Sequence, residues 1–380
     1  MTGAAARGID AAQGPGRKGR RAARLEVPAL SAPPSSRRDD IRNVAETLVL
    51  ATAGGLGLGL TGFPAGYLSG AILVVATAAL LGRPMDVPRF FQIAIYVLIG
   101  ISLGAVVTPE TLQGMASYPL SIAVLLAAMA LVSVAGAAYL QVVHGWDKVA
   151  AYLGAAPGGM SQVLILAADL GADLRPIAIV QSLRVVIVAV GLPAGLAAVG
   201  FAGQATRPHV PLTMVSLDEL AILAVASSAA AYGALRLKFP GGLLFGAMFM
   251  SAFLHGTGLI HAGTPWWVAN TAMVALGGVI GARFTNTPLR MLLRFAAAGV
   301  GSFAVAVVIA AIFAAGLISL VPLRIPEVMI AFAPGSVDAM MLLALALHLD
   351  PVYVGAHHVL RIFMVSLMMP LVARRVARKK

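Results

Sequence analysis

The chain repeats itself over nearly half its length, and that repeat limits the folds open to it more than any other feature. Ala156-Pro157-Gly158-Gly159, Asp173, Arg184 and Pro193 return as Ala333-Pro334-Gly335-Ser336, Asp350, Arg361 and Pro370. Pro157 to Pro334 is 177 residues, and the same displacement relates Asp173 to Asp350, Arg184 to Arg361, Gly100 to Gly277 and Gly104 to Gly281. Upstream, Phe63-Pro64, Gly66 and Gly70 return as Phe239-Pro240, Gly242 and Gly246 at a displacement of 176. One slip over such a distance marks a duplication. The period far exceeds that of a solenoid repeat and is near the size of half a membrane transporter.

Composition places the duplicated unit in a lipid bilayer. With 59% hydrophobic and 11% charged residues, a soluble domain would have too little polar surface to cover itself. The uncharged runs 119–143 and 295–321 exceed the roughly 20 residues that cross a hydrocarbon core. Neither run alternates as barrel strands do, so the expected class is an all-α integral membrane protein. The net charge of +12 comes largely from the ends: nine of the 27 basic residues precede position 44, and Arg374, Arg375, Arg378, Lys379 and Lys380 lie at the other end. Residues 1–43 read as a disordered, Arg-rich cytoplasmic arm against anionic lipid, without the apolar stretch of a signal peptide. The expected division continues as repeat 1 over 44–200, a linker over 201–216, repeat 2 over 217–376 and a basic tail over 377–380. Cysteine is absent, so there is no disulfide framework or thiolate chemistry.

Hydropathy gives six apolar segments per half, at 44–62, 65–81, 90–107, 119–143, 149–172 and 175–200, then 217–235, 241–257, 265–283, 295–320, 327–347 and 351–373. The fifth of each carries the Pro-Gly pair, which no plain spanning helix tolerates. If all twelve cross, the internal loops divide their basic residues five against six. If each fifth segment dips in and returns, Arg83, Arg89, Lys148, Arg175, Arg236, Lys238, Arg283, Arg290 and Arg294 share one side, leaving Arg207 and Arg324 on the other. The positive-inside rule favours that second count. The expectation is about ten transmembrane helices in two inverted-topology repeats, each with a Pro-Gly-broken or re-entrant segment, and both termini cytoplasmic in the bacterial inner membrane. A fifth segment that crosses while another short one does not gives the same charge count. Glycines four apart, such as Gly55 and Gly59, Gly66 and Gly70, Gly100 and Gly104, Gly242 and Gly246, and Gly277 and Gly281, predict close helix contacts within the chain.

Arg184 and Arg361 sit at equivalent points in otherwise apolar helices, where an arginine costs on the order of 2.5–3.5 kcal/mol unless it faces a protein or aqueous interior. Gln181 lies three residues before Arg184, and His358 and His357 lie three and four before Arg361, on the same helix face. Two roles are open to the arginines: binding a ligand, or tying their helices to an acid or to free carbonyls at the breaks. After Gly158-Gly159 and Gly335 the helix can restart under a cap from Ser161 or Ser336, turning a positive dipole end toward mid-membrane. The candidate solute-binding set is therefore Arg184, Arg361, Gln181, His357, His358, Gly158, Gly159, Ser161, Gly335 and Ser336. Asp338 follows the second break, its counterpart is Ser161, and it is the candidate for a proton or cation. Asp173 and Asp350 are expected at helix termini. Adjacent His357 and His358 point about 100° apart and suit no common metal, so neither metal nor cofactor is expected.

The Ala-Pro-Gly-Gly-Met-Ser run at 156–161, Leu170-Gly171-Ala172-Asp173, the Arg184 helix and the copy ending His357-His358-Val359-Leu360-Arg361 resemble the bacterial membrane AbrB family. This duplicated family is distinct from the soluble DNA-binding protein that shares its name. The resemblance covers roughly residues 44 to 376. Members are labelled regulators of gene expression or ammonia monooxygenases. The chain departs from the family at Gln162, where an acidic residue often follows the serine, which weakens any coupling acid in the first half. The first label implies an indirect effect, because no segment outside the membrane can form a DNA-reading element. The second needs metal ligands, and none has the required spacing, so no enzymatic activity is expected. The expected role is transporter-like binding of a small anionic solute between the repeats. The alternative is a non-transporting sensor that signals through a cytoplasmic partner.

Overall fold

A computed structural model describes residues 37–107, 118–157, 160–201, 216–260 and 265–378. Among them are fourteen α-helices and no strand. The first seven are α1 (Arg37–Gly59), α2 (Gly66–Leu80), α3 (Arg89–Gly104), α4 (Tyr118–His144), α5 (Lys148–Ala155), α6 (Met160–Asp169) and α7 (Leu174–Ala198). The second seven are α8 (Leu217–Arg236), α9 (Gly242–Gly256), α10 (Trp266–Gly281), α11 (Leu289–Leu320), α12 (Ile325–Phe332), α13 (Val337–Ala346) and α14 (Pro351–Arg378). Helix n of the first half thus corresponds to helix n + 7 of the second. α1 begins at Arg37, inside the stretch assigned to the arm, with Asp39 and Asp40 in its first turn, where carboxylates favour the positive helix end. Most of the arm and of the linker lies outside the described residues, and so do the last two residues of the tail.

Among the described residues six helices are long and apolar enough to cross a membrane: α4, α7, α8, α10 with the turn after it, α11 and α14. α2, α3 and α9, at 15, 16 and 15 residues, are apolar but shorter. The fifth apolar segment of each half is divided in two. α5 and α6 have eight and ten residues, and α12 and α13 have the same lengths. At 1.5 Å per residue each half-helix reaches about 12–15 Å, roughly half of a 30 Å hydrocarbon core. The long helices leave large apolar side chains uncovered, as α11 does at Val300, Val308, Ile312 and Leu320. A helix this apolar on its outer face is matched to lipid.

The halves pack with their partners exchanged. α2 lies against α10 as α9 lies against α3, and α1 packs on α2 as α8 packs on α9. Glycine sets these distances. A methyl group at Gly100 would press on the Leu244 carbonyl, and one at Gly277 would stand 2.8 Å from that of Leu68, the residue 176 before Leu244. Gly104 meets the backbone of Ala252 and Gly281 that of Ala76 in the same way. Gly66 and Gly70 close onto α1, while Gly242 and Gly246 close onto α8. The four-residue spacings thus serve contacts inside one chain, in keeping with small-residue packing in lipid. One core runs through both halves, taking Leu68, Ile72 and Leu103 from the first and Leu244, Phe245 and Leu276 from the second.

Candidate functional site

At each break a half-helix ends in the same way. The residues after α5 and α12, Ala156 and Ala333, leave helical geometry at φ −57°, ψ 127° and φ −58°, ψ 133°. Pro157 and Pro334 follow, and the residue before a proline is driven into this extended region by clash with the ring. The last carbonyls of α5 and α12 then lack partners within their own helices and carry its negative end. Ser336 caps α13, accepting from the Ala339 amide at 3.4 Å. In the first half α6 starts at Met160, the counterpart of Val337, and the Met160 sulfur accepts from the Ser182 hydroxyl at 3.9 Å. Ser161 therefore lies in the first turn of α6. Gly158 and Gly159 lie outside the described residues.

The arginines meet those carbonyls. On α7, Arg184 Nη1 donates to the Ala155 carbonyl at 3.5 Å, and Gln181 Nε2 donates to that of Leu153 at 3.0 Å. On α14, Arg361 uses two nitrogens, Nη1 to Ala333 O and Nη2 to Gly335 O, both at 2.7 Å. His358 is the counterpart of Gln181 and lies against the backbone of Ile330, the counterpart of Leu153; neither ring nitrogen makes a hydrogen bond of regular geometry. One face of each long helix thus reads the carbonyl end of the preceding half-helix. Both guanidiniums are buried, Arg361 at 0% exposure and Arg184 at 6%, and the Nε of each has no partner. Ion pairs among the described residues involve Arg42, Arg83 and Arg324, not these two. Arg184 and Arg361 are close enough for their charges to repel. α14 also packs on α5 and α13 on α7, so each half lends a helix to the other's break.

The remaining candidates divide. His357 is turned away from the arginines into a polar knot: Nδ1 donates to the Tyr353 carbonyl at 2.7 Å, and Nε2 pairs with Ser121 Oγ, which pairs in turn with the Tyr353 hydroxyl at 2.6 Å. Asp338, in the first turn of α13, hydrogen-bonds Tyr96 of α3 and lies in the field of Arg283. Asp173 and Asp350 stand at helix starts, as expected: Asp173 accepts from Arg175 N at 3.0 Å, and Asp350 from Val352 N at 2.8 Å and from the Tyr118 hydroxyl at 3.1 Å. Sequence reasoning missed Ser121, Tyr353 and Glu327. Glu327 is buried at 8% exposure and accepts from Arg324 at 2.9 Å. A glutamate at the first position of the apolar run 327–347 was the available signal. Among the described residues no three His, Asp or Glu side chains converge as metal ligands would.

Comparison with known proteins bears on the same region. The family model described as Transition state regulatory protein AbrB matches residues 67–377, which take in both breaks and both arginine helices. The chain belongs to the AbrB family. It is 26% identical over 348 residues to the YhjN protein of Bacillus subtilis (strain 168), a match covering 85% of this chain and 90% of that one. It is also 27% identical over 314 residues to a protein of Escherichia coli (strain K12) named as a candidate regulator, AbrB, covering 82% of this chain and 90% of that one. The region that the family model matches in this AbrB-family chain thus runs from α2 to α14 and leaves α1 outside it.

Proposed function

We propose that this AbrB-family chain is a multi-pass protein of the bacterial inner membrane that binds a small anionic solute between two inverted halves and carries it across, as a secondary transporter does. The observation that carries the reading is the pair of buried arginines, set at equivalent helix breaks and, among the described residues, neutralised by no carboxylate. Carbonyl dipoles offset part of that charge, and two like charges held together in a poorly polarisable interior still attract an anion. Paired broken helices near the bilayer centre are the arrangement in which secondary transporters hold solutes. Asp338 is read as the group that couples a proton or cation, and no catalytic step is assigned. The family description and the name of the Escherichia coli relative favour a second reading, in which the same site senses a ligand and acts on gene expression through a cytoplasmic partner.

Acetate, phosphate and sulfate titrated onto the protein in neutral lipid nanodiscs test the anion site. At least one should raise the melting temperature, and Arg184→Gln should weaken that anion by about 2–5 kcal/mol, the range for truncating one member of a buried charge pair. An anion response that ignores Arg184 would sink the site. Flux of the responding anion in proteoliposomes then separates carrier from sensor, since a sensor binds without net movement.

Inversion has its own test. The charge division places Arg83, Arg236 and Arg290 on the cytoplasmic side. Single cysteines beside each, introduced into a chain that has none, should resist an impermeant thiol reagent applied from the periplasm. Labelling at the Arg236 or Arg290 sites would show that the second half is not inverted.

A further inference from the structure

A cavity of about 500 Å³ lies between α7, α11 and α12 and ends on Ala333 and Pro334 at the second break. Its size falls within the range of small-molecule sites, yet its lining is almost wholly apolar. α7 supplies Val188, Gly191 and Gly195, while α11 faces them with alanines such as Ala310 and Ala314. Gly191 and Gly195 have no packing reason to be glycine. A methyl group at either would meet nothing within 4 Å, and neither has a positive φ. Each glycine inside a helix costs roughly 1 kcal/mol against alanine, so two side by side on the cavity wall keep the space open at a cost in stability.

The position of Arg184 connects this space to charge. Residues 184, 188, 191 and 195 are four, three and four apart, so they share one face of α7. Arg184 therefore stands about one turn before Val188 on the cavity wall, and about 10 Å along the axis from Gly191. Val188 also abuts Gly335, within 3 Å of where a methyl group on that glycine would sit. Among the described residues Arg361 is committed to two carbonyls at 2.7 Å, whereas Arg184 makes a single bond at 3.5 Å; the Nε of each is unpaired. Of the two, Arg184 has donors to spare.

From this geometry we infer that the solute is an amphipathic anion, its charged head on Arg184 and a single apolar tail laid along Val188, Gly191 and Gly195 in the cavity. This rests on the anion site proposed above and narrows it: a small hydrophilic anion would leave the cavity unused. Charge complementarity selects the head and the absence of polar lining selects the tail.

Acetate, decanoate and decylamine, titrated onto the full chain in phosphatidylcholine nanodiscs with empty nanodiscs as the partition control, test the assignment. Burying a methylene gains about 0.8 kcal/mol, or three- to fourfold in affinity. Decanoate should therefore bind at least about a hundredfold more tightly than acetate even if part of its chain stays outside. Decylamine should not compete with it. Gly191→Leu fills the cavity from a position with room for its Cβ and should bring decanoate down toward acetate. Ala314→Leu, from the opposite wall, should do the same should the first variant prove unstable. Arg184→Gln should weaken both carboxylates. Equal affinities for acetate and decanoate, both dependent on Arg184, would overturn the tail and leave the anion site standing. A chain-length gain that survives both cavity variants would also overturn it. Binding of neither carboxylate through Arg184, or equal binding of decylamine, would sink the anion head and the inference together.

Discussion

Arg361→Lys is expected to destabilise the protein nearly as much as Arg361→Gln, although lysine keeps the charge, while Arg184→Gln should cost far less. Arg361 is fully buried and spans the second break with two separate nitrogens, one on Ala333 O and one on Gly335 O. An ammonium is a point donor on a flexible stem and cannot reproduce that fork. Lysine therefore keeps at best one bond, and each charged hydrogen bond lost costs about 1.5–3 kcal/mol. Glutamine likewise keeps one, as Gln181 does on Leu153 at the first break. Arg184 holds a single carbonyl at 3.5 Å, so little of the fold depends on it. Thermal unfolding of the three variants in one lipid, followed by tryptophan fluorescence, orders them directly. A lysine variant as stable as wild type would show that charge, not fork geometry, is what the break needs. Equal losses at Arg184 and Arg361 would remove the division of labour between an arginine that holds the break and one that is free to bind.

That division was only half visible in the sequence. The duplication, the two breaks and the arginine in the helix after each could be read directly, because a proline-glycine pair and a buried charge are costly enough in lipid to stand out from any apolar background. The sequence also left two roles open for each arginine, and it does not carry how firmly each copy holds the carbonyls at its break. Whether a guanidinium reaches one carbonyl or two depends on how far α7 and α14 stand from α5 and α12, which packing sets. His357 shows the same limit. It shares a helix face with Arg361 by spacing, yet its ring turns to Ser121, a residue some 230 positions away in a run with no charge to mark it. Small polar residues in an apolar helix give no periodicity signal, so contacts of this kind between halves stay hidden until the helices are assembled. The count of membrane-length helices shows a related effect. α2, α3 and α9 are shorter than the hydropathy of their segments suggests, because the turn at each end consumes residues: Ala65 and Gly241 adopt φ 53° and 67° just before α2 and α9.

The knot around Ser121 leads to the second large effect, since it fastens α4 of one half to α14 of the other. Ser121 Oγ bridges the Tyr353 hydroxyl and His357 Nε2, and all three side chains are buried. Tyr118 packs edge-on against Tyr353 at 5.2 Å and donates to Asp350 at the start of α14, so the helix that carries Arg361 is fixed to α4 at two heights. Ser121→Ala removes one oxygen and leaves two buried polar groups without their partner, at about 1–3 kcal/mol for each. Tyr353→Phe removes only one end of the bridge and leaves Ser121 on His357, so it should cost less. The double variant should cost well under the sum of the two, with a coupling of about 0.5–3 kcal/mol, because the phenylalanine no longer has a hydroxyl to orphan. The cycle is read from thermal or denaturant unfolding of the four proteins in one lipid. Additive losses would mean that Ser121 and Tyr353 do not share a bond in the folded protein. α14 would then be held to α4 by its apolar face and the Tyr118–Asp350 bond, and the register of Arg361 at the break would have to come chiefly from the two carbonyls it binds.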